Sequence, residues 1–394
     1  MKKINYKLIL FIILVFLVGL ASSLLGAFVS RSYLLKEAFR IPFFNEVSIT
    51  EDKLGNSNLI IKDAKKVVIE QDLKVQETFA AIQENIVGLY LKKPVATTTE
   101  QDKFSLNNFY LQKERIGQGF IITNDGWIIS SFTPAEIKKT AATNDSNAKK
   151  QSAATPKNYV VIANDRKTYE IDTIIYDKLL NISFWHAQAN GLPVKQFAEK
   201  SEIGLGQQVI AINSYSWAKP LAIIGKKNSK EAENSDFYQE ELVFNESLGQ
   251  DFFNALVVNL SNHLVALIDS EGKIVSADSF ANLINRILKD QKINRPSLGF
   301  NYLLLAEAAN YQDDKGAIIS PDAKGIAVVK GSPAEKAGLK AGDIILAINN
   351  IEVSTFNPIN EIISNYRPGD EIEIKLLVGQ TTKIIKVKLG NLVY

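Results

Sequence analysis

The chain has 394 residues, of which 46% are apolar and 22% charged, with a formal net charge of +2. The length argues for two or three domains, and the near balance of interspersed charges argues against nucleic acid as the main partner. Cysteine is absent and histidine occurs only twice, as His186 and His263. That composition excludes disulfides, thiolate metal sites and a cysteine nucleophile, and no cofactor is expected.

Lys2, Lys3 and Lys7 precede a charge-free apolar run, residues 8–29. About 20 apolar residues span a bilayer core, and positive charge ahead of the first span keeps an N-terminus cytoplasmic. The run predicts a single-pass anchor behind a cytoplasmic segment, 1–7, with everything downstream extracytoplasmic. A cleaved signal peptide is the competing assignment. Its apolar region is shorter, roughly 7–15 residues, and ends in a small-x-small site.

Residues 30–75 form a juxtamembrane region without a clear module. From Asp72, the spacing of Leu73, Phe79, Ile82 and Ile86 predicts a helix with one apolar face. Residues 86–91 (IVGLYL) read as a buried strand. Asp125-Gly126, between the apolar runs 119–122 and 127–131, is a hairpin signal. Short apolar runs at 159–163, 168–176, 182–186, 207–213, 241–245, 256–260, 264–268 and 273–276 extend the series, and many short strands suggest β-barrels. Residues 133–157 and 226–236 are polar and read as solvated loops. Residues 278–290 (DSFANLINRILKD) predict an amphipathic helix that closes this part.

The last hundred residues have a different pattern. Residues 325–329 predict a strand. Ser332-Pro333-Ala334-Glu335 offers an N-cap serine, a proline at the first helical position and an acid in the first turn, and Gly338 ends that short helix. Residues 344–348 read as a strand, 358–366 as a second helix, and 371–378 with 381–389 as a closing hairpin.

The stretch 325–353 (GIAVVKGSPAEKAGLKAGDIILAINNIEV) resembles a PDZ domain of the bacterial protease-associated type. The resemblance extends over 295–394 and implies a small β-sandwich or barrel with two helices. Such domains bind extended peptide ends by adding a strand to a sheet edge. In the family, a loop with a central Leu-Gly offers backbone N–H groups to the peptide carboxylate. Ser297-Leu298-Gly299-Phe300 matches it, so Leu298, Gly299 and Phe300 are the implied carboxylate loop. Ile359, Ile362 and Tyr366, at helical spacing on the second helix, either line the groove or pack the core. The long connection 303–316 is a candidate cover for the groove.

Residues 76–292 resemble the trypsin-like double β-barrel of HtrA/Deg serine proteases. The resemblance rests on Gly117-Gln118-Gly119-Phe120-Ile121-Ile122 with the following Asp125-Gly126-Trp127, on 164–181, and on Gly204 to Asn213 (GLGQQVIAIN). It implies that Thr133 stands at the family's histidine position, Asn181 at its aspartate and Phe253 at its serine. Serine attack needs a base that titrates near neutral pH, which threonine does not provide, and phenylalanine carries no nucleophile.

The fold class expected is therefore mainly β: a transmembrane helix, a trypsin-like double barrel and a PDZ domain. The function expected is that of a proteolytically inactive HtrA-like protein of the bacterial cell membrane. It would bind peptides or protein C-termini as a scaffold, adaptor or holdase in envelope quality control. The alternative is an active HtrA-type endopeptidase that degrades misfolded envelope proteins. Relatives of this type often form trimers through aromatic N-terminal contacts; Phe104, Phe109 and Tyr110 either play that part in a homotrimer or pack within one barrel, and the oligomeric state stays open.

Overall fold

The computed structural model of the chain describes residues 15, 17–19, 22, 64–94, 108–142, 155–213, 217–227, 232–237, 241–310, 315–379 and 381–392. The chain divides into Met1–Ala64 and Lys65–Tyr394. Segment 1–7, most of 8–29 and most of 30–75 lie outside the described residues. Val15, Leu17, Val18, Gly19 and Ser22 within the apolar run are helical and exposed. Among the described residues, no helix is long and apolar enough to cross a membrane.

The helix expected from Asp72 begins earlier and forms α1 (Ala64–Ile82). Its buried face is Val75, Phe79 and Ile82, while Leu73, expected on that face, is half exposed. Thr78, fully buried, donates its hydroxyl to the Leu260 carbonyl at 3.2 Å, which satisfies a polar group that burial would otherwise penalise.

Six strands close the first barrel in the order β1-β2-β3-β6-β5-β4. They are β1 (Ile86–Leu91), β2 (Gly117–Ile121), β3 (Trp127–Ser130), β4 (Tyr159–Ile162), β5 (Thr168–Asp177) and β6 (Ile182–Ala187). The β2–β3 hairpin turns at Gly126, whose φ is +112°. A Cβ there would lie 2.0 Å from the Ala187 carbonyl oxygen, so only glycine fits. The barrel interior is filled by Val87, Leu89, Ile121, Ile128 and Trp185, all at 0% exposure. In the stretch expected as an irregular loop, residues Ala135–Ala142 form helix α2.

The second barrel sheet has the order β10-β8-β7-β11-β12-β13. Its members are β7 (Gln208–Asn213), β8 (Trp217–Lys227), β10 (Glu241–Phe244), β11 (Leu256–Asn259), β12 (Leu264–Ile268) and β13 (Ile274–Ser276). A single core joins the two barrels: Phe120, Ile129 and Phe184 of the first meet Ile210, Leu256 and Leu264 of the second, together with Phe280 of helix α3 (Asp278–Asp290). The stretch 226–236 is not a solvated loop throughout. Lys226 and Lys227 pair with β10. Glu233–Asn234 form a short strand, β9, which joins the C-terminal sheet instead of the barrel.

That sheet runs β20-β19-β17-β16-β15-β9, with β18 paired to β17. It comprises β15 (Asn301–Leu304), β16 (Ala317–Ile319), β17 (Ile344–Ile348), β18 (Ile351–Glu352), β19 (Glu371–Val378) and β20 (Thr381–Lys388); β14 (Pro296–Ser297) pairs separately with β21 (Gly390–Asn391). Helix α4 (Pro333–Lys336) is capped by Ser332, whose hydroxyl accepts from Glu335 N–H at 3.1 Å. Helix α5 (Ile359–Ser364) is shorter than the predicted 358–366. The strand expected at 325–329 does not form. Asp322 Oδ1 accepts from the N–H groups of Lys324 and Ile326, bending the chain, and only a single bridge, Phe300 to Val328, remains.

Asp177, at the end of β5, and Arg295, just before β14, are 1% and 6% exposed in their side chains. They form a two-pronged ion pair, Nη1–Oδ1 at 3.0 Å and Nη2–Oδ2 at 2.5 Å. Removing one partner of such a buried pair strands the other charge and costs about 3–5 kcal/mol, whereas replacing both by apolar groups is close to neutral. Urea titration of Arg295→Ala is therefore expected to show a loss of that size. The double variant Arg295→Met/Asp177→Leu is expected to lose less than either single change.

Candidate functional site

Three positions were singled out by sequence, Thr133, Asn181 and Phe253. β3 ends at Ser130, whose Oγ donates to the Gln118 carbonyl at 2.5 Å and accepts from Phe132 N–H at 3.0 Å. Ser183 on β6 donates to the Phe132 carbonyl at 2.5 Å. Thr133 follows, buried, with its hydroxyl oxygen lacking a hydrogen-bond partner. Asn181 precedes β6 at a φ of +54°. Its amide accepts from the Tyr176 hydroxyl at 3.1 Å and donates to Asp269 Oδ2 at 3.1 Å. The Asp269 carbonyl in turn accepts from Asn254 N–H at 3.3 Å, next to Phe253. The Phe253 ring lies against Gly272, where a Cβ would approach to 2.7 Å. Gln118, 1% exposed, donates across the seam to the carbonyls of Ile212 and Asn254 at 2.8 and 3.1 Å.

The loop around Phe253 is tightened into a 3-10 turn, Gln250–Phe252. Phe252, Phe253 and Ala255 donate their N–H groups to the carbonyls of Gly249, Gln250 and Phe252, at 2.9, 3.0 and 3.2 Å. Oxyanion stabilisation needs amides aimed at the place where charge develops, and these three are already engaged. Asp251 is exposed, and its carbonyl accepts from the Asn213 side chain.

The two histidines stand elsewhere. His186 Nδ1 lies 2.8 Å from Asp172, with its ring 5.0 Å from that of Trp127, and His263 Nδ1 lies 2.8 Å from Glu202. No serine or threonine hydroxyl is hydrogen-bonded to either ring among the described residues. The backbone N–H of Glu199 and then the His263 ring hold the Glu202 carboxyl below its usual range.

In the C-terminal domain, Leu298 and Phe300 have their side chains fully buried, and Gly299 takes a φ of +82°. A Cβ at Gly299 would lie 2.3 Å from Ser332 Cβ, so the loop depends on glycine. The N–H groups of Leu298 and Gly299 donate to one oxygen of Asp236, at 2.7 and 2.8 Å. The Ser297 hydroxyl donates to the other oxygen at 2.6 Å. The loop thus holds a carboxylate, supplied by the chain itself. Ile359 and Ile362 pack into the core, at 0% and 3% exposure. Tyr366 is partly buried and accepts from Asn349 at 3.0 Å. From α5, Asn360 reaches β9 on the edge of β15 and donates to Glu233 Oε2 at 3.2 Å. Asp236 and Asn360 carried no local signal, because both act on partners distant in sequence.

Phe104 lies outside the described residues. Phe109 is exposed, while Tyr110 packs edge-on to Tyr90 at 5.6 Å and accepts from Lys93 N–H at 3.0 Å.

Residues 326–377 match the PDZ domain family. The "Probable periplasmic serine endoprotease DegP-like" of Hahella chejuensis is 23% identical over 71% of this chain and 58% of its own length. The "Serine protease Do-like HtrA" of Bacillus subtilis is 29% identical over 50% of this chain and 49% of its own. The chain thus spans roughly half the length of the relatives it matches. Among solved structures, the HtrA-type protease AlgW with tripeptide has a TM-score of 0.53 at 14% identity, covering 81% of this chain and 98% of that one. AlgW with decapeptide gives 0.51 at 16% identity, with 81% and 99% covered.

Restoring the side chains alone is expected to fail. The triple variant Thr133→His/Asn181→Asp/Phe253→Ser should cleave casein no faster than the unaltered chain, because the amides of the 250–255 turn stay engaged. Turnover above that background would contradict this description of the loop.

Proposed function

We propose that this chain, which has the fold of an HtrA-type trypsin-like protease and carries a PDZ domain, works as a non-proteolytic, membrane-tethered binder of peptide segments or protein C-termini. The observation that carries the proposal is the loop around Phe253, whose neighbouring amides are spent within a turn. The resemblance implies threonine, asparagine and phenylalanine at the three positions of the triad, which supports the same reading. Removing a whole serine triad lowers turnover about 10⁶-fold in subtilisin, and here the amides are withdrawn as well. The PDZ domain supports peptide capture, by strand addition and by its carboxylate loop. The barrels then serve as the scaffold that presents it.

The apolar run 8–29 supports a tether, which would concentrate the binding surface near partners on the same face of the membrane. The enzymatic alternative has the names of the relatives in its favour, but no serine–histidine pair among the described residues. A fluorophosphonate probe reacts only with an activated serine. The purified chain is expected to remain unlabelled and to leave unfolded casein intact. Labelling at one serine, with casein cleavage lost when that serine is replaced, would establish the protease instead. In membranes washed with alkaline carbonate the chain is expected to stay in the pellet, and its release would remove the tether.

A further inference from the structure

The open edge of β15 is already occupied. Glu233 and Asn234 of β9 pair antiparallel with Tyr302 and Asn301. One residue on, Ser235 donates its N–H to the Phe300 carbonyl at 2.9 Å, and its hydroxyl accepts from Phe300 N–H at 3.1 Å. Ser235 is fully buried there. The chain then turns, and the Asp236 carboxylate settles on the amides of Leu298 and Gly299. Upstream, the Glu233 carboxylate accepts from the Tyr302 hydroxyl at 2.7 Å and from Asn360 at 3.2 Å. Burial, and then the Glu233 charge, push the Tyr302 phenol well above its ordinary value, so it stays protonated and donates.

These contacts reproduce, in order, what a bound chain end requires. There is an added strand, a last side chain in a closed pocket, a carboxylate on backbone amides, and a contact to the side chain two residues upstream. A strand that only covered an edge would satisfy ladder groups without also filling the carboxylate loop.

We propose that Glu233–Asp236 is an intramolecular ligand of the groove, and that an external peptide binds by displacing it. This rests on the peptide-binding reading above. The occupant also defines the chemistry of its competitor: a free terminal carboxylate in place of Asp236, a small last residue in place of Ser235, and a glutamate two positions before it. If the segment is docked in about 99% of molecules, the apparent affinity for an outside peptide falls about 100-fold. Whatever draws the segment out of the groove therefore switches capture on.

The absence of cysteine makes a direct test available. Asn234 and Asn301 are paired across the strands, with their side chains hydrogen-bonded at 3.0 Å. Residues opposite one another in an antiparallel pair have Cβ atoms about 4.5–5.5 Å apart, close to the spacing a disulfide needs. The variant Asn234→Cys/Asn301→Cys locks the segment when oxidised and frees it when reduced, so one protein serves as its own folding control. The probe is a fluorescent decapeptide ending in Ala-Glu-Asn-Ser with a free carboxylate, read by anisotropy alongside a library of C-terminal peptides. Binding is expected to be at least tenfold weaker in the oxidised form than in the reduced form. Asp236→Ala is expected to bind at least tenfold tighter than the unaltered chain. Equal binding by the two redox forms, or by Asp236→Ala and the unaltered chain, overturns the intramolecular ligand while leaving a working groove. Absence of binding to the probe and to every library peptide, in all forms, removes the peptide-binding reading itself.

Discussion

Arg295 and Asp177 are buried together, and neither charge is tolerable without the other. The pair ties the first residues of the C-terminal domain to the end of a strand in the first barrel. Around it, Arg286 of α3 donates to the carbonyls of Asn294, Ser364 and Tyr366, and Asn282 donates to the Ser364 hydroxyl. Lys200 pairs with Glu361 at 2.6 Å. Burial of the Arg286 guanidinium lowers its proton affinity, yet its three carbonyl partners satisfy it. With that orientation fixed, a segment leaving the second barrel lies within reach of the edge of β15. Arg295 also sets its guanidinium over the ring of Phe237, 5.8 Å from the centroid, just beyond the carboxylate that fills the loop.

The architecture of the barrels rests on apolar packing. The core that joins them is apolar and runs through Phe120, Phe184, Leu256 and Phe280, none of which depends on a catalytic group. Where the two barrels meet, polar groups and one ring hold the halves together. Asn181 is held by Tyr176 and Asp269, Gln118 bridges the two halves, and the Phe253 ring covers Gly272. Fold and reactivity are separable in general, because the former rests on area removed from water and the latter on a few positioned atoms.

What the sequence disclosed was local. Ser332-Pro333 announced α4 because an N-cap acts within one turn. Asp125-Gly126 announced the hairpin because the Ala187 carbonyl leaves room for nothing larger than glycine. The first turns of α1 were missed because the consecutive apolar run Val67-Val68-Ile69 reads as readily as a short strand as a helical turn. The segment 325–329 looked like a strand by composition, but Asp322 draws its start into a turn and only Val328 bridges to the neighbouring strand. The carboxylate loop was legible as Leu298-Gly299, whereas its occupant was not. Asp236 sits in a polar run, and its partners are about sixty residues away. A two-residue strand such as Glu233–Asn234 has no periodicity to detect.

The central claim is that the groove is filled from within. Amide hydrogen exchange at Leu298 and Gly299, in the full chain without added peptide, reads the contact that claim depends on. The account predicts that both amides exchange at least tenfold more slowly than in Asp236→Ala, with the core amides of β17 equally protected in the two proteins. Equal exchange at Leu298 and Gly299 in the two proteins would contradict it.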